Sequence, residues 1–260
     1  MKEIINPARA KLEAGEVSVG MGLRVSRTVD VAKAMKTAGF DWLFIDLEHS
    51  PISIETAVNI SVAALDTGIS PIVRVPWMEH WIATRVLDGG AMGIVMPHVE
   101  NADQAREVVQ KLKYPPVGHR SVAGPNAIFD FDNVPAGDAI TAINASQLIT
   151  VMIETPQAVE NADEIAAVEG VDVLLIGTGD LTTELGIPGQ PGDARIVSAY
   201  ETVIAACNRH GKWGGMGGAY AEPELRRYIG MGVRMVLAGN DLSLMLQAGR
   251  QTAEMVKDCL

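Results

Sequence analysis

The sequence predicts an α/β chain folded as a (β/α)8 TIM barrel, on three observations. Short, apolar, β-rich runs recur eight times, helical patterns lie between them, and no linker or low-complexity tract divides the chain. Near-continuous apolar strands alternating with helices indicate a parallel sheet covered on both faces. Eight such units within 260 residues favour closure and a single domain over 1–260. An open doubly wound sheet is the alternative. It calls for a glycine-rich phosphate fingerprint after the first strand, and GMGLRV at 20–25 matches that poorly.

Taken in order, the strands are expected at VSVGMG (17–22), WLFIDL (42–47), PIVRV (71–75) and GIVMP (93–97), then at LITVMIE (148–154), VLLIG (173–177), KWGGMG (212–217) and MVLAG (235–239). Helical patterns intervene, among them TVDVAKAMKTAG, IETAVNISVAALDTG, ADQAREVVQKLK and AYETVIAACNRHG. Several stop at or before a glycine, a common helix terminator. The segment between 114 and 148 is longer than a simple crossover and reads as an elaborated loop with a short helix.

Composition narrows the function classes. Apolar residues make up 48% and charged residues 20%, an ordinary globular balance. No apolar run reaches the roughly 18 residues of a membrane span. Charges occupy the N-terminal stretch where a secretory signal needs an apolar core, so the expected location is cytoplasmic. Two cysteines, Cys207 (expected buried) and Cys259 (expected exposed), form no metal spacing and no disulfide framework. A net charge of −11 argues against nucleic acid, which requires concentrated Lys and Arg.

In a barrel the chemistry sits at the C-terminal ends of the strands. Strand two runs into Asp46, Glu48 and His49; strand three carries Arg74; strand four leads to His98 and Glu100. Strand five ends at Glu154 and strand six at Gly177-Thr178-Gly179-Asp180. Glu154 and Asp180, on adjacent strands, form the sharpest pair. Two carboxylates with open positions suit Mg²⁺ or Mn²⁺. Alternatively each caps a helix or pairs with a base; Asp180 before LTTELG reads equally as a helix N-cap. His49 follows Asp46 by three residues, so the carboxylate could tune the imidazole as a general base, with Glu48 able to do the same; the other reading is a turn cap. Arg74, inside an apolar strand, requires an anionic partner: a substrate oxygen, Glu48 or Asp46. Arg120, in the long loop, reads as a solvated residue, or as one that helps to bind an anionic substrate. His98 and Glu100 carry less weight as loop structure. GGMGG suits either close approach to a phosphate or tight packing. Trp42, Trp77 and Trp81 read as packing residues.

Together the motifs GFDWLFIDLEHSP, PIVRVP, GIVMPHVENADQAREVV, KYPPVGHRSV, MIETPQAVEN, VEGVDVLLIGTGDL and GVRMVLAGND, in this order over nearly the whole chain, resemble the HpcH/HpaI aldolase/citrate lyase family, and within it the class II pyruvate-dependent aldolase branch. That resemblance implies a reversible, divalent-metal-dependent (Mg²⁺, Mn²⁺ or Co²⁺) cleavage of a 4-hydroxy-2-oxo acid to pyruvate and an aldehyde. It implies Glu154 and Asp180 as metal ligands, and His49 in the acid–base system with Asp46 orienting it. Arg74 would stand at the enolate oxygen, and the backbone of Gly177, Thr178 and Gly179 would receive the pyruvate carboxylate. It also implies a homo-oligomer, usually a hexamer, with the C-terminal helix exchanged between barrels. Two positions depart from the branch pattern. Met152 stands where Gln is common, and Gly177-Thr178-Gly179-Asp180 replaces Gly-Pro-Ala-Asp or Gly-Pro-Gly-Asp. Acyl-CoA cleavage and oxaloacetate decarboxylation are the neighbouring alternatives within the family. A phosphate-sugar isomerase or a non-catalytic barrel are the alternatives outside it.

Overall fold

Eight parallel strands close in chain order into one barrel in the computed structural model, which describes residues 4–124 and 126–259. Sequence expectations touching residues 1–3, 125 and 260 lie outside the described residues. The strands are β1 (Ser18–Leu23), β2 (Trp42–Asp46), β3 (Ser70–Arg74), β4 (Gly93–Met96), β5 (Leu148–Ile153), β6 (Val173–Gly177), β7 (Trp213–Gly217) and β8 (Val233–Asn240). Each begins and ends within two residues of its expected position, and β8 pairs back onto β1. The doubly wound alternative is thereby excluded.

The helices are α1 (Pro7–Glu13), α2 (Val31–Thr37), α3 (Ile54–Thr67), α4 (His80–Asp88), α5 (Ala102–Leu112), α6 (Ala136–Ser146), α7 (Pro156–Glu160), α8 (Ala162–Ala166), α9 (Thr178–Glu184), α10 (Ala194–Arg209), α11 (Glu222–Met231) and α12 (Asp241–Lys257). The 114–148 segment holds a 3₁₀ turn at Ala127–Phe129 and then α6, whose 11 residues exceed the short helix expected there. Local chemistry fixes the boundaries. Ser53 accepts the Thr56 N–H to start α3, and Gly68 ends that helix in the left-handed conformation.

Two apolar layers result from the period-two alternation of buried strands. Outward residues such as Leu43, Ile45, Val73, Ile94 and Ile176 pack under the helices. Inward residues, including Trp42, Phe44, Ile72, Val95, Met152, Leu175 and Leu237, fill the barrel. Ala8 and Leu12 of α1 join the inner set. Asn6 ties α1 to the carbonyls of Met92 and Ser146, and the Ala8 N–H donates to Ser70 Oγ, so α1 closes the N-terminal end of the barrel. Trp42 is possible only because Gly20 faces it: a Cβ on Gly20 would come within 2.1 Å of the indole. With one end plugged and the middle filled, the strands' C-terminal ends remain for the chemistry. Cys207 is buried and Cys259 exposed, as expected. Trp42 is a core residue, but Trp77 and Trp81 are not: both reach the surface, Trp77 in an edge-to-face arrangement with the His98 ring. No helix among the described residues is long and apolar enough to cross a membrane.

Candidate active site

The register of β2 and β3 sets Asp46 beside Arg74, both pointing inward. The Arg74 guanidinium donates through Nε to Asp46 Oδ1 at 3.0 Å and through Nη2 to Asp46 Oδ2 at 2.7 Å. Its Nη1 lies 3.0 Å from Glu48 Oε2. Asp46 is 2% exposed and Arg74 8%, so each charge depends on the other. Burial works to raise the Asp46 pKa. The Arg74 hydrogen bonds and charge, with the N–H groups of His49 and Glu48, outweigh it and hold the carboxyl below its usual range. Of the partners considered for Arg74, both carboxylates are engaged. A guanidinium carries five N–H groups, so capacity remains for a substrate oxygen.

Asp46 does not orient the His49 ring. Its Oδ1 accepts the His49 backbone N–H at 3.1 Å, which shapes the turn after β2. The imidazole instead lies 3.6 Å from Glu48 Oε2 through Nε2. Glu48 also lies 3.5 Å from His98 Nε2. It therefore links Arg74, His49 and His98.

Glu154 follows β5 and is 1% exposed. Its Oε2 accepts the His98 backbone N–H at 2.8 Å and lies 3.1 Å from His98 Nδ1. Its Oε1 is buried without a hydrogen-bond partner in the structure. Burial, reinforced by the charge of Asp180 and opposed by the His98 N–H, the His98 ring and Arg74, pushes the Glu154 pKa up to about 7. Gly177 makes this packing possible, since a Cβ there would come within 2.6 Å of Glu154 Cγ and Oε1. Asp180 is not an N-cap. Gly177 occupies that position, and Asp180 falls in the first turn of α9. Thr178 turns its hydroxyl away to Tyr200 at 2.8 Å, so its side chain serves packing and only its backbone is offered to the mouth.

Part of this constellation lines a cavity of about 180 Å³ at the C-terminal mouth; Glu48, His98, Glu154 and Thr178 are not among its lining residues. Phe44, Met152, Leu175 and Leu237 line its apolar base, and Asp46, His49, Arg74, Gly177, Gly179 and Asp180 its polar part. Met152 thus contributes surface and no amide. No lysine is among its lining residues; Lys212 points to the opposite end, donating to the carbonyls of Val168 and Val171. Among the described residues, no group of three or more His, Cys, Asp and Glu gathers as a metal cage. The pair Glu154 and Asp180 nonetheless fits a hard divalent cation. An orphaned buried carboxylate oxygen beside a second carboxylate is electrostatically incomplete, and such cations keep several positions for water and substrate.

Several participants had little weight in the sequence. His98 looked like loop structure, yet it adopts φ 52° and touches two carboxylates. An adverse left-handed φ at a non-glycine residue is visible only in the fold. Arg24 and Tyr220 also line the cavity. For Arg24 a signal existed: continuing the inward alternation of Gly20 and Gly22 by one step reaches it. Arg120 is not a solvated loop residue: it is 4% exposed, pairs with Asp88 and stacks over Tyr114, away from this cavity.

Comparison with known proteins agrees with this architecture. A family model described as HpcH/HpaI aldolase/citrate lyase matches residues 24–248. A 4-hydroxy-4-methyl-2-oxoglutarate aldolase of Hapsidospora irregularis is 40% identical over 247 residues, covering 94% of this chain and 92% of that one. A 4-hydroxy-2-oxo-heptane-1,7-dioate aldolase of Escherichia coli is 34% identical over 250 residues, covering 95% and 94%. The crystal structure of an HpcH/HpaI aldolase from Desulfitobacterium hafniense DCB-2 superposes with a TM-score of 0.91 at 31% identity, covering 96% of each chain.

Proposed function

The chain belongs to the HpcH/HpaI aldolase/citrate lyase family, and on that premise we propose that it is a divalent-metal-dependent carbon–carbon lyase, reversibly cleaving a 4-hydroxy-2-oxo acid to pyruvate and a carbonyl fragment. The observation that carries this reading is the buried, incompletely partnered Glu154, close enough to Asp180 and Arg74 to feel both charges, with Asp180 and Arg74 lining a cavity at the barrel mouth.

Glu154 and Asp180 would hold the cation. When bound it supplies Lewis-acid polarisation of the 2-oxo group. His98, through its N–H and ring, fixes one oxygen of Glu154 and leaves the other directed to its task. The backbone N–H groups at the start of α9, around Gly177, Thr178 and Gly179, receive the substrate carboxylate; α9 has no side-chain cap competing for them. His49 accepts the C4 hydroxyl proton, with Glu48 supporting the imidazolium and Asp46 setting the turn that presents it. As the C3–C4 bond breaks, its electron pair moves to C3 and the C2 oxygen gains charge. Arg74, held rigid by Asp46 and Glu48, meets that charge without reorganisation. A proton delivered to C3 then gives pyruvate.

The smaller partners are thus a 2-oxo acid and an aldehyde or ketone. The larger partner we propose is a second copy of the chain, within a hexamer. No side chain of α12 is buried among the described residues, and Leu242, Leu244, Leu246 and Met255 stand exposed along it. An apolar helix left in water invites a protein surface.

Exchange of the pyruvate methyl protons with deuterium tests the chemistry directly. EDTA-treated protein is expected to be silent, and Mg²⁺, Mn²⁺ or Co²⁺ to restore exchange. Arg74→Ala is expected to lower it about 10²–10³-fold, the scale for removing one pre-set oxyanion partner. Undiminished exchange by metal-free Arg74→Ala protein would overturn the proposal.

A further inference from the structure

A second guanidinium lines the cavity, and the chemistry above does not use it. Arg24 follows β1, which lies opposite β5 in the closed eight-strand order. Its Nη2 donates to the His49 carbonyl at 3.0 Å. Its backbone is anchored as well: the Asp241 carboxylate accepts the N–H groups of Arg24, Val25 and Ser26 at 2.9, 3.1 and 2.7 Å. The side chain is nevertheless 40% exposed, toward the mouth.

Its charge is only loosely paired: Asp46 is its one carboxylate neighbour among the described residues' ion pairs, and that carboxylate is satisfied elsewhere. Asp46 already takes two hydrogen bonds from Arg74 and two from the backbone. Arg24 Nε stays 3.7 Å from Asp46 Oδ2, beyond hydrogen-bond reach. A positioned, half-exposed guanidinium at the rim of a protein of net charge −11 is a local attractor for an anion that the global field disfavours. The substrate geometry says which anion. With C1 and C2 at the β5–β6 side and the C4 hydroxyl at His49, whatever C4 carries continues toward β1 and meets the side chain bonded to His49.

We propose that Arg24 is a specificity-determining residue that binds the far carboxylate of a dicarboxylic 4-hydroxy-2-oxo acid, so that the carbonyl fragment released is itself an acid. This rests on the pyruvate-lyase reading above.

The test is the condensation of pyruvate, with Mn²⁺, onto glyoxylate and succinic semialdehyde against their neutral counterparts glycolaldehyde and butanal, each as kcat/KM. Arg24→Met is expected to lower the ratio of acid to neutral acceptors about 10–100-fold, the scale of one charged hydrogen bond, mainly through KM. Arg24→Lys is expected to recover part of the ratio. An equal fall with both acceptor classes would assign Arg24 to shaping the loop, and an unchanged ratio would leave it no role; either overturns the inference. Absence of metal-dependent pyruvate exchange in the unmodified enzyme overturns the pyruvate-lyase reading instead, so the two failures are distinct.

Discussion

Single side chains at the mouth are interdependent because so many are buried charges. Glu154→Gln or Asp180→Asn keeps the shape and removes a charge from the proposed ligand pair. The expected loss of Mn²⁺ affinity, measured calorimetrically, exceeds the about 10–100-fold typical of losing an outer partner, and activity falls with it. Gly177→Ala is a subtler probe. Its methyl would press on Glu154 Cγ and Oε1, so metal affinity should fall while the circular-dichroism spectrum stays unchanged. Asp46→Asn tests the ion pair through pH. The folded-state pKa of Asp46 lies below the usual value of 3.8. Its contribution to stability is therefore present above that value and lost as pH falls through the folded pKa. Denaturant unfolding should show Asp46→Asn less stable by about 3 kcal/mol at pH 7, the scale for leaving a buried charge short of a partner. The difference should shrink once acid protonates Asp46 in the unsubstituted protein. Why the sequence put Asp46 ahead of Glu48 as the partner of the His49 ring follows from the same geometry. A spacing of three residues puts Asp46 near the His49 backbone; only the turn decides where the ring goes.

Among the elements, the strands were the most readable. WLFID, PIVR and VLLIG are continuous apolar β-formers, and burial on both faces demands that composition. Harder to read were α6, which buries only Ile143 and Ser146 of its 11 residues, and α7 and α8, which at five residues each are too short to show a helical period. β1 and β2 supply an element-scale prediction. Gly20→Ala should destabilise by about 1–3 kcal/mol or more, the overpacking scale, because Trp42 fills the barrel and cannot move aside into packed neighbours. Thermal unfolding measures it. Since Gly20 lies deep below the mouth, residual folded protein should keep its metal affinity.

At the scale of the whole molecule, metal and assembly should both report on stability. A cation bound only by the folded state adds about 2.7 kcal/mol at a hundredfold excess over its Kd. Mn²⁺ should accordingly raise the unfolding temperature of the native protein and leave that of Glu154→Gln unmoved. Removing residues 245–260 should convert the proposed assembly to smaller species in light scattering behind size exclusion, since no side chain of α12 is buried against its own barrel and the Asp241 anchor is kept. An unchanged mass would remove α12 from the interface.

Asp241 ties these scales together. It is at once the first residue of α12 and the anchor for three N–H groups of the β1 loop. The barrel's seam, where last strand meets first, is thus latched by the very residue from which the outgoing helix departs. Any partner that redirects α12 pulls on that latch, and through it on the guanidinium at the rim. If α12 is held by a partner copy as proposed, dilution that frees it should blur the proposed choice between acidic and neutral acceptors before it costs turnover.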